Sequence, residues 1–153
     1  MSAPRRVRAA TAADTVAWSR LRHALWPQAT AQQHAAELPE LLAQPQRLAA
    51  FLIEDEDGRV QGFAEASLRS DYVNGTETSP VGFLEGWYVA PQQRGRGYGR
   101  ALIEAVEAWT RERGCSELAS DAELDRRDSH AAHAACGFAE TERVVYFRKR
   151  LVG

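Results

Sequence analysis

The 153-residue sequence predicts an α/β fold built on a sheet with antiparallel hairpins and some parallel crossovers. Three observations predict it. Two apolar runs flank Asp55-Glu56-Asp57-Gly58, a hairpin signal. Segments of helical period alternate with segments rich in β-branched and aromatic residues. A glycine-rich stretch, Pro91 to Arg100, leaves a strand pattern and opens a helix pattern.

The elements follow in order. Val7 to Ala10 reads as a short extended start. Ala12 to Leu25 carries Val16, Leu21, Ala24 and Leu25 at helical spacing, and Pro27 stops it. Thr30 with Gln33 resembles a capping box for a second helix, interrupted or kinked near Pro39. Leu48 to Glu54 and Val60 to Leu68 are the hairpin strands, Asp71 to Pro80 a polar loop, and Val81 to Val89 the next strand. Tyr98 to Arg113 is a helix ended by Gly114. Glu117 to Ser120 is a short strand, Asp128 to Cys136 a helix stopped by Gly137, and Thr141 to Leu151 a final strand. Neither a repeat nor a linker interrupts them, so residues 1–153 are expected to form a single domain.

Composition excludes several classes. With 44% hydrophobic and 26% charged residues, the chain is globular rather than disordered. A net charge of −2 argues against nucleic acid as a partner. No apolar run suggests a membrane span or a signal peptide, so a soluble cytoplasmic protein is expected. Cys115 and Cys136 lack metal-site spacing, and neither a disulfide framework nor a zinc site is expected.

The most specific feature is Pro91-Gln92-Gln93-Arg94-Gly95-Arg96-Gly97-Tyr98-Gly99-Arg100. Glycines let backbone approach a ligand, and the first amides of a helix are unpaired donors with partial positive charge. Together they can cradle a pyrophosphate, with Arg94, Arg96 and Arg100 adding full charges. An ordinary glycine-rich turn is the plainer alternative. Neither GxGxxG nor a Gly-Lys-Ser/Thr ending is present.

Carboxylates supply the second signal. A period of two along Val81–Val89 places Glu85 on one face with Val81, Phe83, Trp87 and Val89, where an unpartnered charge is costly. Gly82 and Gly86 around it hint at a bulge. The alternative is a strand-edge Glu facing water. In the final strand, Glu142, Val144, Tyr146 and Arg148 share a face, unless Glu142 simply pairs with Arg143 or Arg148. Asp121 lies at the carboxyl end of a strand, where open α/β sheets gather ligands, or else caps a turn. Converging acids attract a polycation, and Trp26, Tyr72 and Trp87 can add apolar walls or cation–π contacts.

The loop resembles the signature of the GNAT acetyltransferases, Arg/Gln-x-x-Gly-x-Gly/Ala, met by Arg94, Gly97 and Gly99. That resemblance implies a GNAT fold, a mixed, mostly antiparallel central sheet flanked by helices. It implies acetyl-CoA as cosubstrate, its pyrophosphate on the loop from Arg94 through Gly95, Arg96, Gly97, Tyr98 and Gly99 to Arg100, and its pantetheine arm along the backbone of Trp87, Tyr88 and Val89. Further islands, Leu21–Pro27, Asp71–Thr76, Gly82–Val89, Ala119–Ala122, Ser129–His133 and Gly137–Arg148, resemble the aminoglycoside 6′-N-acetyltransferase branch. In that branch the residues lining the antibiotic pocket fall on Trp26, Tyr72, Glu85, Asp121 and Glu142, and a homodimer is implied. One departure is Asp125-Arg126, where the branch often has Asn after the Asp.

The chemistry expected is direct attack of an amine on the thioester, without a metal. An amine of pKa about 10.4 costs roughly 4.6 kcal/mol to deprotonate at neutral pH, so a base is needed. Glu85 is the candidate base, with burial expected to raise its pKa and help. Tyr146 is the candidate acid for the CoA thiolate, with a core Tyr as the alternative. A strand amide near Trp87–Val89 would meet the oxyanion. His133 and Cys136 share a helix face, but the Ala-rich surroundings read Cys136 as a small core residue, and Trp18, Trp109 and Phe138 also read as core. The rival functions are acetylation of a polyamine, small amine metabolite or protein amine, and non-catalytic acetyl-CoA binding.

Overall fold

A computed structural model describes residues 5–152. Its contacts divide the chain into two compact units, Met1–Asp121 and Ala122–Gly153. The first unit holds a five-stranded sheet in the order β1 (Arg6–Ala9), β2 (Leu48–Glu54), β3 (Val60–Arg69), β4 (Val81–Val89) and β5 (Leu118–Ser120). The first four strands pair antiparallel, while β5 joins β4 in parallel. The β2–β3 turn forms as the Asp-Gly signal requires: Asp55 Oδ1 accepts from the amides of Asp57 and Arg59, and Gly58 takes φ +79°.

Helices cover both faces. A 3-10 turn at Ala12–Asp14 leads into α1 (Thr15–Leu25), and α2 (Ala31–Leu42) follows with the predicted capping box between Thr30 and Gln33. Contrary to expectation, α2 is not interrupted at Pro39. The ring sits on an exposed position near the end, where one missing amide costs little, and the helix continues to Leu42. Trp18, Leu21 and Leu38 pack on Leu52 and Phe63. On the opposite face, α3 (Tyr98–Glu112) buries Leu102, Ile103, Val106 and Trp109. Gly62 permits that approach, since a Cβ there would lie 3.4 Å from the Leu102 side chain and within 2.8 Å of the Tyr88 carbonyl.

The second unit contains α4 (Arg127–Ala135), closed by Gly137 at φ +90°. The predicted strand Thr141–Leu151 is absent: residues 138–152 have no strand pairing. A period-two pattern makes a strand possible, but only a sheet edge that supplies hydrogen-bond partners makes it form. Glu142, Tyr146 and Arg148 therefore lie in exposed, irregular chain. Cys136 is half-buried rather than core, and Phe138 packs edge-on against His133, ring centroids 5.1 Å apart. No helix among the described residues is long and apolar enough to cross a membrane.

Candidate active site

The site grows from a fault in the β3–β4 ladder. Glu65 pairs with Gly86 and Ala66 with Leu84, so Glu85 is a bulged residue with no opposite number. This corrects the period-two reading of β4. Gly82 faces Thr110 of α3, yet Gly86, four residues on, faces Trp26 and Phe63 on the other side. The extra residue inverts the alternation. Trp87 therefore turns to the α3 face and donates its indole N–H to the Gly99 carbonyl at 3.2 Å, away from the face of Phe83. It also corrects the expected burial of Glu85, whose side chain is 37% exposed.

The bulge gathers partners on Glu85. Ser67 Oγ donates to Oε1 at 2.6 Å, and the Arg69 guanidinium grips both carboxylate oxygens, Nη2 at 2.8 and 3.0 Å. Neither Ser67 nor Arg69 stood out in the sequence. Their signal was positional, two polar residues two apart at the end of a predicted strand. Asp121 comes next to Glu85 by topology. The parallel β4–β5 ladder ends at Leu84↔Ser120, and the following residues are Glu85 on one strand and Asp121 on the other. Two carboxylates thus stand where the strands part.

Trp26 adds an aromatic wall next to the bulge. Its ring lies over Gly86, against Phe63 at a centroid distance of 5.9 Å. A buried polar network behind it fixes the helix end. Arg22 Nη1 donates to both oxygens of Glu65 at 2.7 Å, Trp18 Nε1 reaches Glu65 Oε2 at 2.9 Å, and Arg22 also pairs with Glu37. Arg22 Nε donates to His34 Nδ1 at 3.3 Å, so the imidazole proton sits on Nε2 and faces the Trp26 carbonyl at 3.0 Å. Burial pushes the Glu65 carboxyl up, opposed by Arg22 and Trp18. Tyr72 is exposed on the loop between β3 and β4, whose distal half is held by Glu117 accepting from the amides of Glu77 and Thr78.

The glycine-rich loop is shaped as its sequence demands. Gly95 and Gly97 adopt φ +77° and +86°, and Gly97 caps α3, whose first turn carries no acid. Arg94 Nε donates to the Val89 carbonyl at 2.9 Å, anchoring the loop to β4. Arg5, missed in the sequence, donates to the Arg96 carbonyl at 2.8 Å and places its guanidinium beside Gly97. Tyr98 is buried, while Gly99 is half-buried and Arg100 exposed. Tyr88 and Val89 are half-buried at the end of β4.

The second unit carries the remaining candidates. Glu142 and Tyr146 are exposed, Tyr146 at 82%. Arg126 lies 3.7 Å from Asp128. Among the described residues no group of three or more His, Cys, Asp or Glu could hold a metal ion.

A mixed sheet opening at a parallel pair, with a glycine-capped helix beside the opening, is the architecture of an acyl-CoA-dependent transferase. The chain belongs to the acetyltransferase (GNAT) family, whose model matches residues 18–138. Among curated relatives, an aminoglycoside N(6′)-acetyltransferase type 1 from Stenotrophomonas maltophilia is 59% identical over 145 residues, covering 95% of this chain and 93% of that protein. Its counterpart from Serratia marcescens is 52% identical over 88% of this chain and 92% of that one. The crystal structure of an aminoglycoside antibiotic 6′-N-acetyltransferase from Acinetobacter baumannii superposes with a TM-score of 0.91 at 41% identity, covering 96% of this chain and 99% of that one. A structure of AAC(6′)-Iy in complex with the bisubstrate analogue CoA-S-monomethyl-acetylneamine gives 0.90 at 43% identity, covering 97% and 100%.

Proposed function

We propose that this chain transfers the acetyl group of acetyl-CoA to the 6′-amine of aminoglycoside antibiotics. The observation that carries the reading is the bulge, which presents Glu85 beside Trp26 and Asp121 on a unit that also bears a glycine-led helix start. The relatives carry that activity in their names, and the residues present fit both substrates. Acetyl-CoA supplies an already activated acyl group. Gly95, Gly97 and the start of α3, with Arg5, Arg94, Arg96 and Arg100 around them, suit its pyrophosphate.

The residue roles belong to the same proposal. Trp26, Tyr72, Glu85 and Asp121 receive the acceptor, and Glu142 is a further acceptor-binding residue. Glu85 takes the ammonium proton, directly or through a water, and Tyr146 returns one to the leaving thiolate. Backbone groups of Trp87, Tyr88 and Val89 run along the pantetheine, and an amide there meets the oxyanion. We read residues 1–153 as one catalytic domain, since the family match at 18–138 crosses the boundary between the two units. We further propose a cytoplasmic homodimer, because acetyl-CoA is a cytoplasmic metabolite and the second unit exposes a dense apolar segment.

The test is thiol release from acetyl-CoA with neamine and with its 6′-hydroxyl counterpart, alongside spermine and a lysine peptide. Activity confined to the 6′-amine is the expected outcome. Equal rates on the hydroxyl compound would move the target amine, and a preference for spermine or peptide would replace the substrate class. Glu85→Gln should lower kcat roughly 100-fold, the low end for general-base catalysis, with the acetyl-CoA KM nearly unchanged. An unaltered kcat would remove Glu85 from proton transfer.

A further inference from the structure

Before any acceptor arrives, the Glu85 carboxylate is already answered by a cation. Oε1 receives Ser67 Oγ at 2.6 Å, Arg69 Nε at 3.1 Å and Arg69 Nη2 at 2.8 Å, and Oε2 receives Nη2 at 3.0 Å. An ionised carboxylate offers about two lone-pair sites on each oxygen, so Oε1, with three contacts, is fully taken, while Oε2 keeps one site beside Arg69 Nη2. Holding a substrate ammonium and receiving its proton both draw on those same lone pairs. As long as Arg69 stays, Glu85 does neither well, and the guanidinium charge repels any second cation.

Arg69 is built to leave. It is the last residue of β3, its side chain is 42% exposed, and its guanidinium lies 3.5 Å above the Phe83 ring. The aromatic face supports the charge independently of Glu85. An ion pair this exposed contributes little in water and exchanges readily.

Resting on the reading of Glu85 as the acceptor carboxylate, we propose that Arg69 is an internal stand-in for the acceptor's ammonium. It is a specificity-determining residue that an amine must displace, and it selects polycations over simple amines. A monocation entering at Glu85 exchanges one charged partner for another and leaves the Arg69 charge close by. A polycation has further ammonium groups to place, and Asp121 stands at the neighbouring strand end. Only the second exchange is a net gain.

Arg69→Met keeps an apolar stem over Phe83 while removing charge and donors, and Arg69→Lys keeps the charge without the fork. Both are compared with the wild-type chain at saturating acetyl-CoA. The acceptors are neamine and methyl 6-amino-6-deoxyglucoside, a single-ring monoamine with the same nucleophile. Arg69→Met should raise kcat/KM for the monoamine about three- to fivefold, the span expected for one exposed ion pair, with a smaller rise for neamine and little change in Arg69→Lys. A fall or no change for the monoamine in Arg69→Met overturns the proposal and makes Arg69 a support for Glu85. Glu85→Gln in parallel separates the two failures. If it alters neither acceptor's KM nor kcat, the reading of Glu85 itself has failed, whereas a Glu85-dependent enzyme indifferent to Arg69→Met rejects the stand-in alone.

Discussion

At the scale of single residues, Gly86 does more than relieve a strand. A Cβ built on it would fall within 2.7 Å of Trp26 Cζ2 and nearer still to Cη2. The absence of a side chain is what lets the indole lie on the sheet next to the bulge. Gly86→Ala must push the ring outward, and overpacking of this kind costs about 1–3 kcal/mol. The consequence for activity should be selective: a higher KM for neamine, an acetyl-CoA KM within twofold of wild type (about 0.4 kcal/mol), and a lower midpoint in urea unfolding. A neamine KM unchanged beside a lowered midpoint would remove Trp26 from the acceptor site. Glu85 and Gly86 were both noticed in the sequence, because a charge and glycines inside an apolar strand are anomalies. Ser67, Arg69 and Arg22 were not, since a polar residue in a predicted element gives no hint of its partner. Arg22 meets Glu65 forty-three positions away.

At the scale of elements, local chemistry was readable and distant pairing was not. The strand Val81–Val89, the capping box at Thr30 and the glycine-led start of α3 all lie where residue patterns placed them, because each is decided within a few residues. The bulge was hinted at by Gly82 and Gly86 and is present at Glu85, whereas the missing final strand is decided by a neighbour, and no local pattern reports a neighbour. The junction of β1 with α1 is of this second kind. Arg8 on β1 donates to both oxygens of Asp14 at 2.8 Å and to Glu54 on β2 at 3.0 Å, clamping the helix start to two strands. The hydrogen bonds from Arg8, with those from Thr11, hold the Asp14 carboxyl down at about 2, below the ordinary 3.8. A carboxyl depressed on folding stabilises the fold above its unfolded pKa, and that contribution is lost as pH falls through the folded value. Unfolding free energy should therefore drop by roughly 1–2 kcal/mol between about pH 4 and pH 2 through this group. Asp14→Asn should flatten that part of the curve in urea titrations. A mutant curve parallel to wild type through this window would dismiss the clamp.

At the scale of the molecule, the second unit presents what a soluble monomer avoids. Val145, Tyr146, Phe147, Leu151 and Val152 are 76–93% exposed, and Val144 47%, all within nine residues. Fully burying side chains of this kind yields about 1.5–3 kcal/mol each, so covering even most of them reaches roughly 8–15 kcal/mol. That is enough to offset an association cost of about 4–15 kcal/mol, whereas isolated apolar residues are not. A second copy of the chain is the partner always present at equal concentration, and β-branched and aromatic residues in sequence are suited to pairing as a strand. Light scattering on the purified chain should give twice the protomer mass at micromolar concentration. Phe147→Asp with Val145→Asp should shift it to the protomer, with thermal unfolding turning independent of protein concentration. If the wild-type chain is monomeric at tens of micromolar, the apolar segment has another function and the dimer is lost from the proposal.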